Sequence, residues 1–253
     1  MDFKNDNIWL MQGDCLERMK EIPDGSVDMV LTDPPYGTTA CKWDSVIDLD
    51  LMWVQLKRII KPNGAIVMTA SQPFTSILIT SNMPMYRYNI VWEKERPSNP
   101  MLAKKQPLKY HEDICIFYKK QPLYSPIMTK GTKNHGYLKG QHFNEITQTE
   151  SRYESNTSDM KYPKSILKFN SERGKSIHST QKPVALMEYM IKTYTNEGET
   201  VLDFTFGSGA TIKAANNLNR KSIGIEMGKC EKKGHKYEGM DWTDVLVDQL
   251  DLK

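Results

Sequence analysis

At 253 residues, 39% of them hydrophobic and 26% charged, the chain is long enough to bury one sizeable core with a smaller appended region. No apolar run approaches 18 residues and the N-terminus lacks the charged-then-apolar pattern of a signal peptide, which predicts a cytoplasmic protein without a membrane segment. Cys15, Cys41, Cys115 and Cys230 are far apart with no CxxC pairing, a pattern of a reducing compartment that speaks against structural zinc.

The net charge of +3 hides an asymmetry. Residues 94–182 hold 17 Lys and Arg against 8 Asp and Glu, while the remainder holds 17 against 23. A basic middle in an acidic frame fits an insert that binds a polyanion, although a solvated lysine-rich region fits the charge count equally.

In chain order, residues 8–11 predict a short strand, followed by Gly13-Asp14-Cys15 and a helical stretch to about Glu21. Residues 27–31 read as a buried strand with one acidic interruption at Asp28, and it stops at Asp33-Pro34-Pro35-Tyr36. Two prolines fix φ and remove two N–H donors, so neither helix nor sheet can absorb this turn. A rigid turn at a strand end presents the Asp33 carboxylate, the Pro34 carbonyl and the Tyr36 ring in fixed directions, a set suited to a planar ring with an exocyclic amino group. Leu49, Met52, Trp53, Leu56, Ile59 and Ile60 fall at helical spacing, Pro62-Asn63-Gly64 should end that helix, and residues 65–69 predict the next strand. A helix over 73–81 and strands over 87–92 and 114–118 follow.

Between 93 and 182 prolines recur and apolar periodicity is weak, so apart from the strand at 114–118 this region is expected to be irregular. Pro183 suits the first turn of a helix whose Val184, Met187, Ile191 and Tyr194 share a face. A strand over 200–204, a turn at Phe206-Gly207-Ser208-Gly209, a helix over 210–218 and a strand over 222–226 complete the pattern. The tail from Met227 is polar and weakly patterned. Alternating strands and helices predict a mostly parallel sheet covered on both faces.

Four polar features follow strands directly: Asp14, Asp33, the Gly207-Ser208-Gly209 turn and Glu226. Ligands of open parallel sheets bind outside the carboxyl ends of strands, so one geometric rule puts all four on the same rim. The glycine turn lets a ligand approach backbone and helix N-terminus, and Glu226 has the spacing of an acid that accepts from ribose hydroxyls. That pair alone fits nicotinamide, flavin or S-adenosylmethionine. Ile212 stands where a full G-x-G-x-x-G would have glycine, which favours a sulfonium cofactor with an amino-acid tail over a diphosphate. Asp14 could take the cofactor's adenine amino group or simply cap a helix.

These residues together resemble the β group of DNA amino-methyltransferases, in which the catalytic motif precedes the cofactor motif in the chain. The resemblance is carried by Gly13-Asp14-Cys15, Asp33-Pro34-Pro35-Tyr36, His178-Ser179-Thr180-Gln181-Lys182-Pro183, the segment 201–211 (VLDFTFGSGAT) and Ile223-Gly224-Ile225-Glu226. It implies a circularly permuted, seven-stranded Rossmann-like sheet, S-adenosylmethionine as methyl donor, and adenine N6 in double-stranded DNA as acceptor by base flipping. Cytosine N4 offers the same chemistry. The implied catalytic residues are Asp33, Pro34, Pro35 and Tyr36. The implied cofactor residues are Asp14, Cys15, Thr180, Lys182, Pro183, Asp203, Phe204, Thr205, Phe206, Gly207, Ser208, Gly209 and Glu226.

The implied organisation is a catalytic half at 1–92, a target-recognition region at 93–182 and a cofactor half at 183–253. Lys104, Lys105 and Lys109 beside Tyr110, and Lys130, Lys133 and Lys139 near Tyr137, are the candidate phosphate contacts. A companion restriction endonuclease and a homodimer also accord with the resemblance. Two departures stand out: Asp203-Phe204-Thr205 replaces the family's Asp-Pro-Phe, and an atypical charged tail follows Glu226, leaving the helix over that sheet edge in question. His111-Glu112-Asp113 reads better as a cap on strand entry than as an acid–base cluster, and His135, His142 and His178 lack metal spacing. The competing readings are a nicotinamide-dependent oxidoreductase, which leaves the Asp-Pro-Pro-Tyr turn unexplained, and an inactive DNA-binding relic.

Overall fold

The computed structural model describes residues 2–39, 44–132, 140–144, 148–153, 158–171 and 181–252. Its elements run β1 (Phe3–Lys4), β2 (Ile8–Gln12), α1 (Cys15–Arg18), β3 (Val27–Thr32), α2 (Leu49–Ile59), β4 (Ile60–Ala70), α3 (Phe74–Ser81), β5 (Tyr86–Glu93) and β6 (His111–Phe117). Short strands β7 (Thr129–Lys130), β8 (Gly140–Asn144), β9 (Thr149–Tyr153) and β10 (Met160–Lys161) follow, then β11 (Ile166–Lys168), α4 (Val184–Tyr194), β12 (Thr200–Asp203), α5 (Ala210–Asn217), β13 (Lys221–Glu226) and α6 (Trp242–Gln249).

The chain divides into two compact units, Met1–Ser125 with Ser165–Lys253, and Pro126–Lys164. Within the smaller unit β7 pairs antiparallel with β10 and β8 with β9. The larger unit holds a sheet in the order β1-β2-β13-β12-β3-β4-β6-β5-β11. The expected seven strands are the run from β2 to β5, with one short strand added at each edge. Strands β2, β13, β12, β3 and β4 are mutually parallel, and β6 runs antiparallel between β4 and β5.

Alternation along the strands sends side chains to two faces. Val30, Ile66 and Met68 pack with Met52, Trp53, Leu56 and Phe74 of α2 and α3. Their neighbours Met29, Leu31, Ala65 and Val67 pack with Leu186, Met190 and Ile191 of α4 and Ala214 of α5. Both faces are therefore dry, as a parallel sheet requires.

Three expectations need correction. Lys61-Pro62-Asn63-Gly64 lies inside β4 rather than ending the helix, because the register shifts between the Val27–Ile60 and Met29–Ala65 pairs and a bulge absorbs the extra residues. A Cβ at Gly64 would stand 2.7 Å from the Asp28 carbonyl oxygen, so glycine is what permits this close approach. Residues 166–168, expected to be irregular, join the main sheet as β11, parallel to β5. The tail from Met227 is also structured: Trp242, Val245 and Leu246 of α6 are buried with Ile8, Leu10, Phe206, Ile212, Cys230 and Tyr237.

No helix among the described residues is long and apolar enough to cross a membrane.

Candidate active site

β3 connects through α2 to β4 on one side, while its neighbour β12 connects through α5 to β13 on the other. The order of strands reverses between β3 and β12, and in open α/β sheets ligands bind in the crevice beyond such a point. The segments leaving these two strands are Asp33-Pro34-Pro35-Tyr36 and Phe204-Thr205-Phe206-Gly207. They are joined directly. Thr205 Oγ1 donates to the Asp33 carbonyl at 3.2 Å, and Thr32 Oγ1 lies 2.7 Å from Thr205 Oγ1 and donates to Asp203 Oδ1 at 2.8 Å.

The Asp33 carboxylate is held at both oxygens. Tyr36 Oη donates to Oδ1 at 2.6 Å, Thr69 Oγ1 of β4 donates to the same oxygen, and Lys182 Nζ donates to Oδ2 at 2.5 Å. Tyr36 is itself fixed by Phe74, whose ring stacks on it at 5.3 Å between centroids. Burial, with the Asp33 and Glu112 charges added, pushes the Tyr36 phenol well above its usual range and keeps it a donor. Pro34 is buried beneath the turn. Beyond Tyr36, the Asp44 carboxylate accepts the N–H groups of Gly37, Thr38 and Thr39 at 2.6 to 2.9 Å and anchors the next loop.

The Lys182 ammonium, which the resemblance puts in a cofactor pocket, sits on Asp33, 3.3 Å from Glu112 Oε2 and 5.7 Å from the Tyr36 ring centroid. Glu112 Oε1 accepts from Lys94 Nζ at 2.8 Å, and Lys94 Nζ also donates to Ser98 Oγ at 2.6 Å. The result is a line of alternating charge: Lys94, Glu112, Lys182, Asp33. Burial would lower the Lys182 ammonium's pKa, yet Asp33 and Glu112 outweigh it and raise it. Burial likewise pushes Glu112 up, while Lys182 and Lys94 together hold it below the usual carboxylate range. Glu112, read from the sequence as part of a cap on strand entry, lies within β6, and Lys94 carried no signal, because β5 and β6 meet only through the antiparallel pairing that sets Trp92 opposite Glu112. Asp113 is used elsewhere and accepts from Thr75 Oγ1 at 2.8 Å.

On the other side of the reversal, Gly207 has φ of +51° and open space where a Cβ would point. Gly209 has φ of +81°, and a Cβ there would stand 2.6 Å from Leu246 of α6. The first glycine therefore leaves room, and the second permits packing. Glu226 Oε2 accepts from Gly207 N at 2.8 Å, while Oε1 accepts from Met227 N at 3.0 Å and Gly228 N at 2.7 Å. A carboxylate has about four lone-pair sites, so roughly one is left for a hydroxyl.

The remaining expected cofactor residues differ in their surroundings. Asp14 Oδ1 caps α1 by accepting from Leu16 N at 2.9 Å and Glu17 N at 3.2 Å. Phe204, Phe206, Ser208 and Cys15 are buried, the Cys15 thiol being pushed up to about 12 by burial and then by the Asp14 charge. Asp203 is also buried, and burial raises its carboxyl to about 7. Pro183 opens α4, and its carbonyl accepts from Leu186 N and Met187 N. Thr180, Lys133, Lys139, Tyr137, His135, His178 and Cys41 lie outside the described residues, and only the backbone of His142 is described.

Of the lysines singled out, Lys104 and Lys105 are exposed, and Lys109 donates to Ser71 Oγ. Lys130 lies 3.9 Å from Asp159 within the smaller unit. Among the described residues no group of three or more His, Cys, Asp or Glu could hold a metal ion.

Known proteins are similar to this chain in sequence and fold. The chain is 29% identical over 247 residues to the type II methyltransferase M.HinfI of Haemophilus influenzae, covering 86% of this chain and 64% of that protein. It thus spans less than two thirds of that relative's length. M.HpaI of Haemophilus parainfluenzae is 26% identical over 265 residues, covering 93% and 77%. Among solved structures, the M1.HpyAVI–SAM complex is 27% identical with a TM-score of 0.57, covering 88% of this chain and 94% of that one. The PvuII DNA methyltransferase, described as cytosine-N4-specific, is 15% identical with a TM-score of 0.63, covering 89% and 83%, a likeness of fold. A family model described as DNA methylase matches residues 27–235, from β3 through the glycine turn and beyond. The chain belongs to the DNA methylase family.

Proposed function

We propose that this DNA methylase transfers a methyl group from S-adenosylmethionine to the exocyclic N6 of adenine in double-stranded DNA, with the target base swung out of the helix. The observation that carries the reading is the meeting of the Asp33 turn and the Gly207 turn where the strand order reverses, linked through Thr205.

The residues fit such a cofactor. Space is open beside Gly207, and the Glu226 carboxylate closes the neighbouring strand with capacity for one more donor. Thr180, Lys182 and Pro183, with Asp14 on the adjacent strand end, are assigned to the same pocket. When bound, the cofactor supplies an electrophilic methyl group on a sulfonium.

An aromatic amine is a weak nucleophile because its lone pair is delocalised into the ring. Asp33 and the Pro34 carbonyl can accept its two N–H groups, which favours a tetrahedral nitrogen and helps most when the acceptors bind the transition state better than the flat ground state. Holding the reactants in line contributes roughly 7–11 kcal/mol. Extruding the base costs a few kcal/mol, and stacking on the Tyr36 ring would return about 1–3 kcal/mol. We assign residues 93–182 to target recognition, with Lys104 and Lys105 as exposed phosphate contacts.

Adenine is the preferred target because the resembling motif has Asp at position 33, where Ser would lean toward cytosine. Nucleoside analysis of DNA from cells expressing the chain tests this: N6-methyladenine is expected, and N4-methylcytosine would correct the base. Asp33→Ala should remove the modification while leaving cofactor affinity within a few-fold. Absence of any modified base with the unaltered chain would overturn the reading. A cytoplasmic location, a homodimer and a companion endonuclease belong to the same reading, and light scattering of the purified chain tests the second.

A further inference from the structure

The ammonium of Lys182 stands at the oxygen to which a target amino group would donate. Asp33 Oδ1 already accepts from Tyr36 and Thr69, so an entering N–H would use Oδ2, where Lys182 donates at 2.5 Å and roughly one lone-pair site is left. The same ammonium lies 5.7 Å from the centroid of Tyr36, whose ring has one face taken by Phe74. A base stacked there and bonded to Asp33 would crowd this lysine.

A second seat lies beside the first. Glu112 Oε2 is 3.3 Å from Lys182 Nζ, yet it is buried and accepts no well-aligned hydrogen bond among the described residues. A buried carboxylate oxygen left this way is costly. Its partner oxygen is anchored by Lys94, which Ser98 also holds, so the carboxylate cannot turn away.

We infer that Glu112 is a positioning residue: it receives the Lys182 ammonium when the target's amino group takes Oδ2 of Asp33. The exchange breaks no covalent bond and moves no proton. The ammonium trades Asp33 Oδ2 for Glu112 Oε2, its 3.3 Å contact there becomes an aligned hydrogen bond, and the positive charge moves away from the nitrogen that becomes cationic during methyl transfer. With Glu112 neutral, Lys182 keeps Asp33 as its one anionic partner and competes with the substrate. This inference rests on Asp33 as acceptor of the target amine, whichever base carries it.

The test is labelled-methyl transfer to unmethylated genomic DNA by the purified full chain, with S-adenosylmethionine held above each variant's own Kd. Glu112→Gln should raise the KM for DNA about tenfold, a loss of ~1.4 kcal/mol in substrate capture. Glu112→Gln combined with Lys182→Met should bring KM back to within about threefold of the unaltered chain, because the competing ammonium is gone. Glu112→Asp should recover most of the loss, which separates a charge effect from a folding defect. DNA Kd measured by fluorescence anisotropy without cofactor should follow the same order. A double variant no better than Glu112→Gln in both measurements, or Glu112→Gln with unchanged KM and Kd, would overturn the inference. Asp33→Ala is the control that tells the two failures apart. If it is inactive while the double variant shows no rescue, the inference alone is wrong. If it remains active, the assignment of Asp33 is wrong and the inference goes with it.

Discussion

Asp33 and Asp203 are two carboxyl groups at neighbouring strand ends, and their surroundings differ sharply. Asp33 keeps a quarter of its side chain exposed and has hydroxyl donors on one oxygen and an ammonium on the other. Asp203 is buried, and its donors are the Thr32 and Thr211 hydroxyls and the Thr205 N–H. None of these carries a charge, so burial dominates and raises its carboxyl from 3.8 to about 7. A folded-state value above the unfolded one means the folded protein holds the proton more tightly. The stability this group contributes is complete below about pH 4 and is lost as pH rises through about 7, at up to ~1.4 kcal/mol per unit. Asp203→Asn removes the titration while retaining an acceptor oxygen for Thr32. Its stability relative to the unaltered chain is therefore expected to improve from pH 5 to about pH 7 and then level off in urea unfolding. Parallel curves for the two proteins would show that Asp203 does not titrate in this window.

The glycine turn and α6 meet at a single contact that can be measured. Gly209 has a backbone suited to glycine, and an added Cβ would press on Leu246. Gly209→Ala should cost about 1–3 kcal/mol through left-handed strain and overpacking together. In a Leu246→Ala background, itself about 2–5 kcal/mol less stable, the same substitution should cost less, because only the strain remains. Chemical denaturation of the four proteins checks this, and strict additivity would rule the contact out. The signal for α6 was present in the tail: Trp242, Val245 and Leu246 are spaced three and one apart, as on one helix face, but eight residues between charged neighbours gave the pattern little weight. The elements that were legible, β2, β3, α2, α4, β12 and β13, are those whose periodicity declares a buried face locally. β11 has only three residues and becomes a strand because β5 offers it an open edge, information held by the partner and not by its own sequence.

At the scale of the molecule, strand ends were enough to bring Asp33, the glycine turn and Glu226 to one rim, since parallel neighbours must end on the same side. Which atoms touch was beyond that rule. Lys182 reaches Asp33 across 149 positions of chain, and Glu112 reaches Lys182 from an antiparallel strand, so neither contact leaves a trace in local spacing. The charge asymmetry leads to a further expectation. If the basic middle contacts phosphates, log K for duplex DNA should fall linearly with log salt. Replacing Lys104 or Lys105 by Ala should reduce the slope by about one each, with little change in sequence preference. A slope unaltered in both variants would place the phosphate contacts on other residues.

β3 is sandwiched between β4, which follows it soon in the chain, and β12, which arrives about 170 residues later. During synthesis on the ribosome, β3 and its Asp33 turn therefore wait with one edge unpaired until the C-terminal third has emerged. For the same reason, two fragments divided before α4 would each lack half of the crevice, and they would regain it only by assembling with one another.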